Sequence, residues 1–287
     1  MKGGRFRRGL TTAKHSWAVL KRERSLALFP VVSGVACLLA AVVLVGGGAV
    51  LAAEVGVGAG IAVWAVAVYV LAFIGIYCNT ALAAAAAQAI DGRRTSVRDG
   101  FAAVRGRRGA IAQWALVQVT VGLLLQVVYD LLSDSPVGRI VASIFTALAS
   151  AAWSVATFFV LPVLALEGLG PVAAVKRSAQ VVKARWGEGL VGSGAIGAVM
   201  VVALLLPIAA IAVGVVLVVD DGDGAGAALA AVGVAAAVPI LIAFTTLQAI
   251  FRVVLYRFAT EGQVVAGFER AELEEAFRRR GGRAGVI

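Results

Sequence analysis

The sequence predicts an all-α protein, a polytopic transmembrane helical bundle with six spans. The spans are arranged as three repeats of an interfacial helix plus a transmembrane hairpin. Three observations carry this reading. Of the 287 residues, 61% are apolar and mean hydropathy is +0.96, against roughly 45–50% apolar in soluble domains. The apolar runs exceed the ~20 residues needed to cross a hydrocarbon core, and they recur. Finally, 25 of the 26 Lys and Arg residues fall into four segments separated by pairs of apolar runs.

The elements follow in order. Lys2, Arg5, Arg7, Arg8, Lys14, Lys21, Arg22 and Arg24 precede the first run, about 28–52. That run is too long for a signal-peptide core and leads into a second span, so it reads as an uncleaved signal anchor. The second span is about 61–88, followed by Arg93, Arg94, Arg98, Arg105, Arg107 and Arg108. Spans three and four, about 109–131 and 138–165, lead to Lys176, Arg177, Lys183 and Arg185. Spans five and six, about 190–218 and 227–250, are followed by Arg252, Arg257, Arg270, Arg278, Arg279, Arg280 and Arg283.

The opposite side carries Arg139 with Glu54, Asp130, Asp134, Asp220, Asp221 and Asp223. Loops rich in Lys and Arg resist translocation, so both termini are expected in the cytoplasm of a bacterial inner-membrane protein. An odd number of spans would destroy this agreement. Arg-, Ala-, Gly- and Val-rich usage suggests a GC-rich bacterial genome. The net charge of +10 could point to nucleic acid, but its segregation points to membrane topology and no nucleic-acid partner is expected.

The basic segments share a template. Aligning Ser16, Gly100 and Ser178 brings Lys14, Arg98 and Lys176 into register, and also Lys21, Arg105 and Lys183. Apolar positions match as well: Ala13, Val97 and Val175; Trp17, Phe101 and Ala179; Leu20, Val104 and Val182. These positions give one apolar stripe beside a basic stripe on a helix. Such a helix is expected in the headgroup layer, its six aligned cations near anionic lipid phosphates and Trp17 and Trp186 at the same depth. The expected partner is therefore the bilayer and its anionic cytoplasmic headgroups. The chain forms a single membrane domain, 1–287, with repeats near 10–92, 93–168 and 171–258 and a tail from 259. In that tail Glu274–Arg278 and Glu275–Arg279 are ordered for a short helix.

No Asp, Glu, Lys or Arg stands near the middle of a span, which argues against an ion-coupled pump. Arg252 lies close enough to the end of span six to snorkel. The intramembrane polar candidates are Asn79, Gln113, Gln118, Gln126 and Gln248, with Thr80, Thr120, Thr245 and Thr246 nearby. They either line a path for a polar solute or bond helices together at roughly 0.6–2 kcal/mol each, the second being favoured. Ser143, Ala147, Ser150, Ala151 and Ser154 in span four read as a packing seam, as do Gly189, Gly192, Gly194 and Gly197 in span five. Pro162, Pro207 and Pro239 are expected to kink spans four, five and six.

Little points to covalent chemistry. Cys37 and Cys78 lack metal-ligating neighbours and read as small buried apolar residues, and the lone His15 as an interfacial polar group. The Asp220–Gly224 stretch lacks calcium-loop spacing and its closing Glu, so a solvated turn is expected. Phosphate-loop, zinc-protease and nucleophile-elbow patterns are missing from the sequence. No catalytic, metal or cofactor residues are assigned, and the chain is expected not to be an enzyme.

Several segments resemble a known family: His15-Ser16-Trp17 to Phe29-Pro30, Arg98-Asp99-Gly100-Phe101, and Ala156-Thr157-Phe158-Phe159-Val160-Leu161-Pro162. So do Leu166-Glu167-Gly168 to Val175-Lys176-Arg177-Ser178, Trp186-Gly187-Glu188 and Leu255-Tyr256-Arg257-Phe258-Ala259. They look like bacterial membrane proteins grouped as domain of unknown function 6159, which implies an integral membrane protein and transfers no site residues. The helix-plus-hairpin unit is also similar to the non-catalytic membrane regions of some bacterial glycerophosphodiesterases, in architecture alone.

Three functional readings follow. The leading one is a non-enzymatic protein that passes or accommodates a small solute or lipid, with a polar cavity between spans two, three and six. The rival is a structural or assembly factor with a dry bundle, in which Asn79, Gln118 and Gln248 pair internally. The third is a lipid-headgroup enzyme with carboxylates such as Glu167 or Glu188 gathered at a cytoplasmic pocket.

Overall fold

Helix breakers and caps divide the chain where the sequence places them. The structure, a computed structural model, describes residues 23–185, 191–221 and 224–262. A 3₁₀ turn, Arg24–Ala27, runs into α1, Leu28–Glu54. Pro30 lies in the first turn of α1, where a missing N–H costs nothing. Gly56 turns the chain into α2, Val57–Ile90. Helix α3, Val97–Val104, opens on a capping box in which Ser96 and Asp99 satisfy each other's backbone N–H groups. A 3₁₀ turn, Arg105–Arg107, leads to α4, Arg108–Leu132. Ser135 caps α5, Pro136–Ala156, with Pro136 in the first turn. There follow α6, Val160–Leu166; α7, Pro171–Arg185; α8, Val191–Asp221; and α9, Gly224–Glu261.

The described elements are all helical, as expected, and six stretches are long and apolar enough to cross a membrane. The sixth runs further than the 227–250 read from the sequence. Helix α9 has 38 residues, or about 57 Å at 1.5 Å per residue, nearly twice a ~30 Å hydrocarbon core. Arg252 and Arg257 lie inside it, the first over the Phe158 ring and the second paired with Asp91 at the end of α2. It stops at Gly262, whose φ of +66° is left-handed. The N-terminal copy of the basic template (Lys14 and Lys21 included), Trp186, Glu188 and Gly189, Gly222 and Asp223, and the C-terminal segment lie outside the described residues.

Burial is concentrated at one end of the molecule, the end that carries the Lys- and Arg-rich connections. Leu26 and Phe29 at the base of α1 pack there with Val104, Ile111 and Trp114, the whole of α6, and Ile250–Ala259 of α9. At the centre runs Ala81–Ala87 of α2, every residue buried. Alanine on all faces lets α1, α3, α4, α6 and α9 approach the same stretch of backbone. Toward the opposite, acidic end the apolar side chains face outward: Leu38 and Val43 of α1, Leu124 and Leu131 of α4, and Leu206 and Val219 of α8.

Span four is broken, where a kink was expected. Helix α5 ends at Ala156 and α6 begins at Val160. Pro162 explains the interruption, since it has no N–H for the carbonyl of residue 158 and its ring crowds that carbonyl. The break frees the Phe159 N–H, which donates to the buried Ser178 hydroxyl of α7 at 3.0 Å. Pro207 and Pro239 lie inside α8 and α9, and neither divides its helix.

The expected small-residue seam on span four is not a seam. Ser143, Ala147, Ser150, Ala151 and Ser154 are all exposed. Helix α5 instead meets α4 on the opposite face, through buried Ala142 and a Trp114–Trp153 stack with centroids 5.9 Å apart. Two indoles offer far more contact area than a serine stripe, so they set which face turns inward. A glycine seam does join α8 to α9, at Gly214, Gly226 and Gly233. A Cβ on Gly214 would stand 2.5 Å from the Ala230 nitrogen, so only glycine permits this approach.

Candidate functional site

A pocket opens where α2, α6 and α9 meet. Its spacing is visible in α9: Thr245, Gln248 and Arg252 are three and four residues apart and therefore share one face. Asn79 and Ala83 of α2 close one side, and Leu161 and Pro162 of α6 close another. The helix break in span four thus also places the apolar wall of the pocket. The volume is about 60 Å³, against roughly 10–15 Å³ for a single water. The space suits a group of a few heavy atoms.

The polar lining is only partly satisfied. Asn79 donates from Nδ2 to the Gly75 carbonyl at 2.8 Å, and its carbonyl oxygen makes no hydrogen bond among the described residues. Thr245 donates to the Leu241 carbonyl at 2.7 Å. Arg252 is half-buried, and its guanidinium stands 5.1 Å from the centroid of the Phe158 ring. Among the described residues no carboxylate pairs with it.

The other sequence candidates are dispersed. Gln118 accepts from the Trp153 indole N–H at 2.6 Å, and so ties α4 to α5. Gln126 is exposed and donates to Asp130 at 2.9 Å on its own helix. Gln113 is exposed on α4. Only Asn79 and Gln248 come together, and the third wall is span four where span three was expected. Span three is turned away because Trp114 and Gln118 face α5.

Arg98 and Arg105 beside α3, and Lys176 and Lys183 on α7, are all exposed at the basic end. The apolar stripes of these helices pack on the protein itself. Val104 is fully buried, and Phe101 stands 5.5 Å from Phe29 and 5.4 Å from Tyr77 between ring centroids. The two described residues at the template's alignment position both make close approaches. A Cβ on Gly100 would stand 2.8 Å from the Ala81 carbonyl oxygen, and Ser178 holds the span-four break.

A set of polar contacts ties the helices together at the basic end. Arg257 grips Asp91 with both guanidinium nitrogens, one at 3.2 Å, joining α9 to the end of α2. That contact holds the Asp91 carboxyl below its ordinary range. Arg177 of α7 donates to Glu167 at 3.1 Å, which raises the guanidinium's affinity for its proton. Tyr256 of α9 donates to the same Glu167 oxygen. Arg107 donates to the Leu164 carbonyl at 3.3 Å and to the Ala165 carbonyl, a cation at the C-terminus of α6. Gly168 makes room for it: its φ is +68°, and a Cβ there would meet Arg107 Nε at 2.9 Å.

Composition gave no reason to place Arg252 in a site, since a cation at a span end reads as a snorkelling side chain. The signal available was its seven-residue offset from Thr245, with Gln248 between them. Among the described residues no group of three or more His, Cys, Asp or Glu gathers as a metal donor set. No curated protein and no solved structure matches the chain. A family model described as a family of unknown function, DUF6159, matches residues 57–268.

Proposed function

The chain belongs to this DUF6159 family, whose function is unknown, and from that premise we propose a non-enzymatic multi-pass protein that accommodates a small polar solute or a lipid. The observation that carries the reading is the pocket between α2, α6 and α9, lined by Asn79, Thr245, Gln248 and Arg252. A dry structural bundle would leave no such space beside unpaired polar groups. Segregation of the cations supports a bacterial inner-membrane location with both termini cytoplasmic, which puts the pocket toward the cytoplasmic leaflet. The exposed Arg98, Arg105, Lys176 and Lys183 would then meet anionic headgroups from above the protein's own core.

Cysteine labelling tests both parts. In a Cys37→Ala, Cys78→Ala background, Thr245→Cys should react with a small charged methanethiosulfonate, whose sulfenyl sulfur is attacked by a hydrated thiolate with release of methanesulfinate. Adding Ala249→Trp, at a pocket-lining alanine that is only half-buried, should suppress that reaction by filling the pocket. An unreactive cysteine at 245 would indicate a dry interior and favour an assembly role. Asp221→Cys should label from outside intact cells; labelling only from the cytoplasmic side would reverse the orientation.

A further inference from the structure

Two side chains in the pocket have no polar partner among the described residues: the Gln248 amide makes no hydrogen bond, and Arg252 has only the face of Phe158. A half-buried guanidinium without a counter-charge is costly, and the cost is recovered when an anion binds. The Asn79 and Gln248 amides supply neutral donors beside it, which suits an oxyanion with several acceptor oxygens. About 60 Å³ corresponds to roughly four to six waters, the size of a tetrahedral oxyanion. Arg252 also lies in the half of α9 nearer the Lys- and Arg-rich end, where the helix packs into the buried core. We propose that Arg252, Gln248 and Asn79 bind a phosphate group, carried either by a lipid headgroup or by a soluble ion. This deepens the reading above and rests on the pocket being accessible.

The full chain carrying Thr245→Cys in the Cys37→Ala, Cys78→Ala background is purified in dodecyl maltoside, a phosphate-free detergent. The rate of thiol labelling is then measured with three probes: inorganic phosphate, phosphatidylglycerol, and diacylglycerol as a phosphate-free lipid. Protection of about tenfold by phosphatidylglycerol alone identifies a lipid phosphate; the same protection by inorganic phosphate identifies a soluble one. Arg252→Gln should abolish protection and Arg252→Lys should retain part of it. Gln248→Leu, which keeps the cation, should weaken protection severalfold and serves if Arg252→Gln does not fold.

Labelling that neither phosphate probe slows overturns the phosphate site but leaves the accessible pocket standing. Failure to label without any probe removes the pocket reading itself. Protection by diacylglycerol equal to that by phosphatidylglycerol, or protection undiminished in Arg252→Gln, also overturns the site.

Discussion

The Tyr256 hydroxyl donates to the Glu167 carboxylate and so fastens α9 to the end of α6, 89 residues earlier in the chain. Arg177 meets the same carboxylate from α7. One carboxylate therefore joins three helices, and each partner can be removed separately.

Tyr256→Phe deletes one hydrogen bond to a charged group and leaves the ring packed against Phe159, 5.7 Å away between centroids. A loss of about 1.5–3 kcal/mol is expected. Thermal unfolding in detergent should show a lower midpoint than for Arg177→Gln, whose ion pair is half-exposed and screened by water.

The Asp91–Arg257 contact gives stability a pH dependence with a definite sign. The folded carboxyl is held below its unfolded value near 3.9 by Arg257. The contribution is therefore complete above about pH 4 and is lost as pH falls through the depressed folded value. Asp91 is partly solvated, so the effect should be no more than about 1 kcal/mol. Melting curves between pH 7 and pH 3 should converge for wild type and Asp91→Asn at the acid end, and differ at neutral pH.

Ser178→Ala leaves the Phe159 N–H buried at the span-four break without its acceptor. The expected cost is about 1–3 kcal/mol, and Ser178→Thr should not reproduce it if the added methyl is tolerated. Hydrogen exchange at Phe159 should accelerate selectively in the alanine variant. An unchanged exchange rate would show that the hydroxyl does not hold the break.

Gly100→Ala puts a methyl carbon 2.5 Å from the Phe29 ring and 2.8 Å from the Ala81 carbonyl oxygen. Backbone cannot yield as a side chain can, so overpacking should cost about 1–3 kcal/mol. Gly46→Ala in α1 meets nothing within 4 Å and should be neutral or slightly stabilising by helix propensity. Comparing the two in one unfolding assay separates space from propensity.

The helical fold class and the approximate positions of six apolar stretches were legible because length and hydropathy determine them. Facing was less legible. Asn79, Gln113, Gln118 and Gln126 look alike in sequence, yet Gln118 is absorbed by Trp153 while Asn79 borders a pocket. The difference arises from which neighbour carries an indole, a tertiary fact that no single-helix pattern contains. The same holds for Ser143 to Ser154, whose small size permits packing without requiring it. Arg252 was visible but was read as an end-of-span charge. The motifs Leu166-Glu167-Gly168 and Leu255-Tyr256-Arg257 show why distant segments are paired: their side chains meet at one carboxylate.

Ala83, Ala84, Ala85, Ala86 and Ala87 are each no more than 3% exposed, packed among neighbouring helices except where Ala83 borders the pocket. A stretch of this kind has little room for drift. One added methylene at any of the four positions beyond Ala83 must displace close-packed neighbours, and one removed methyl introduces a flexible glycine into a helix that organises the rest. Saturation mutagenesis of the chain should find its least permissive window here, in five residues that carry no functional group at all.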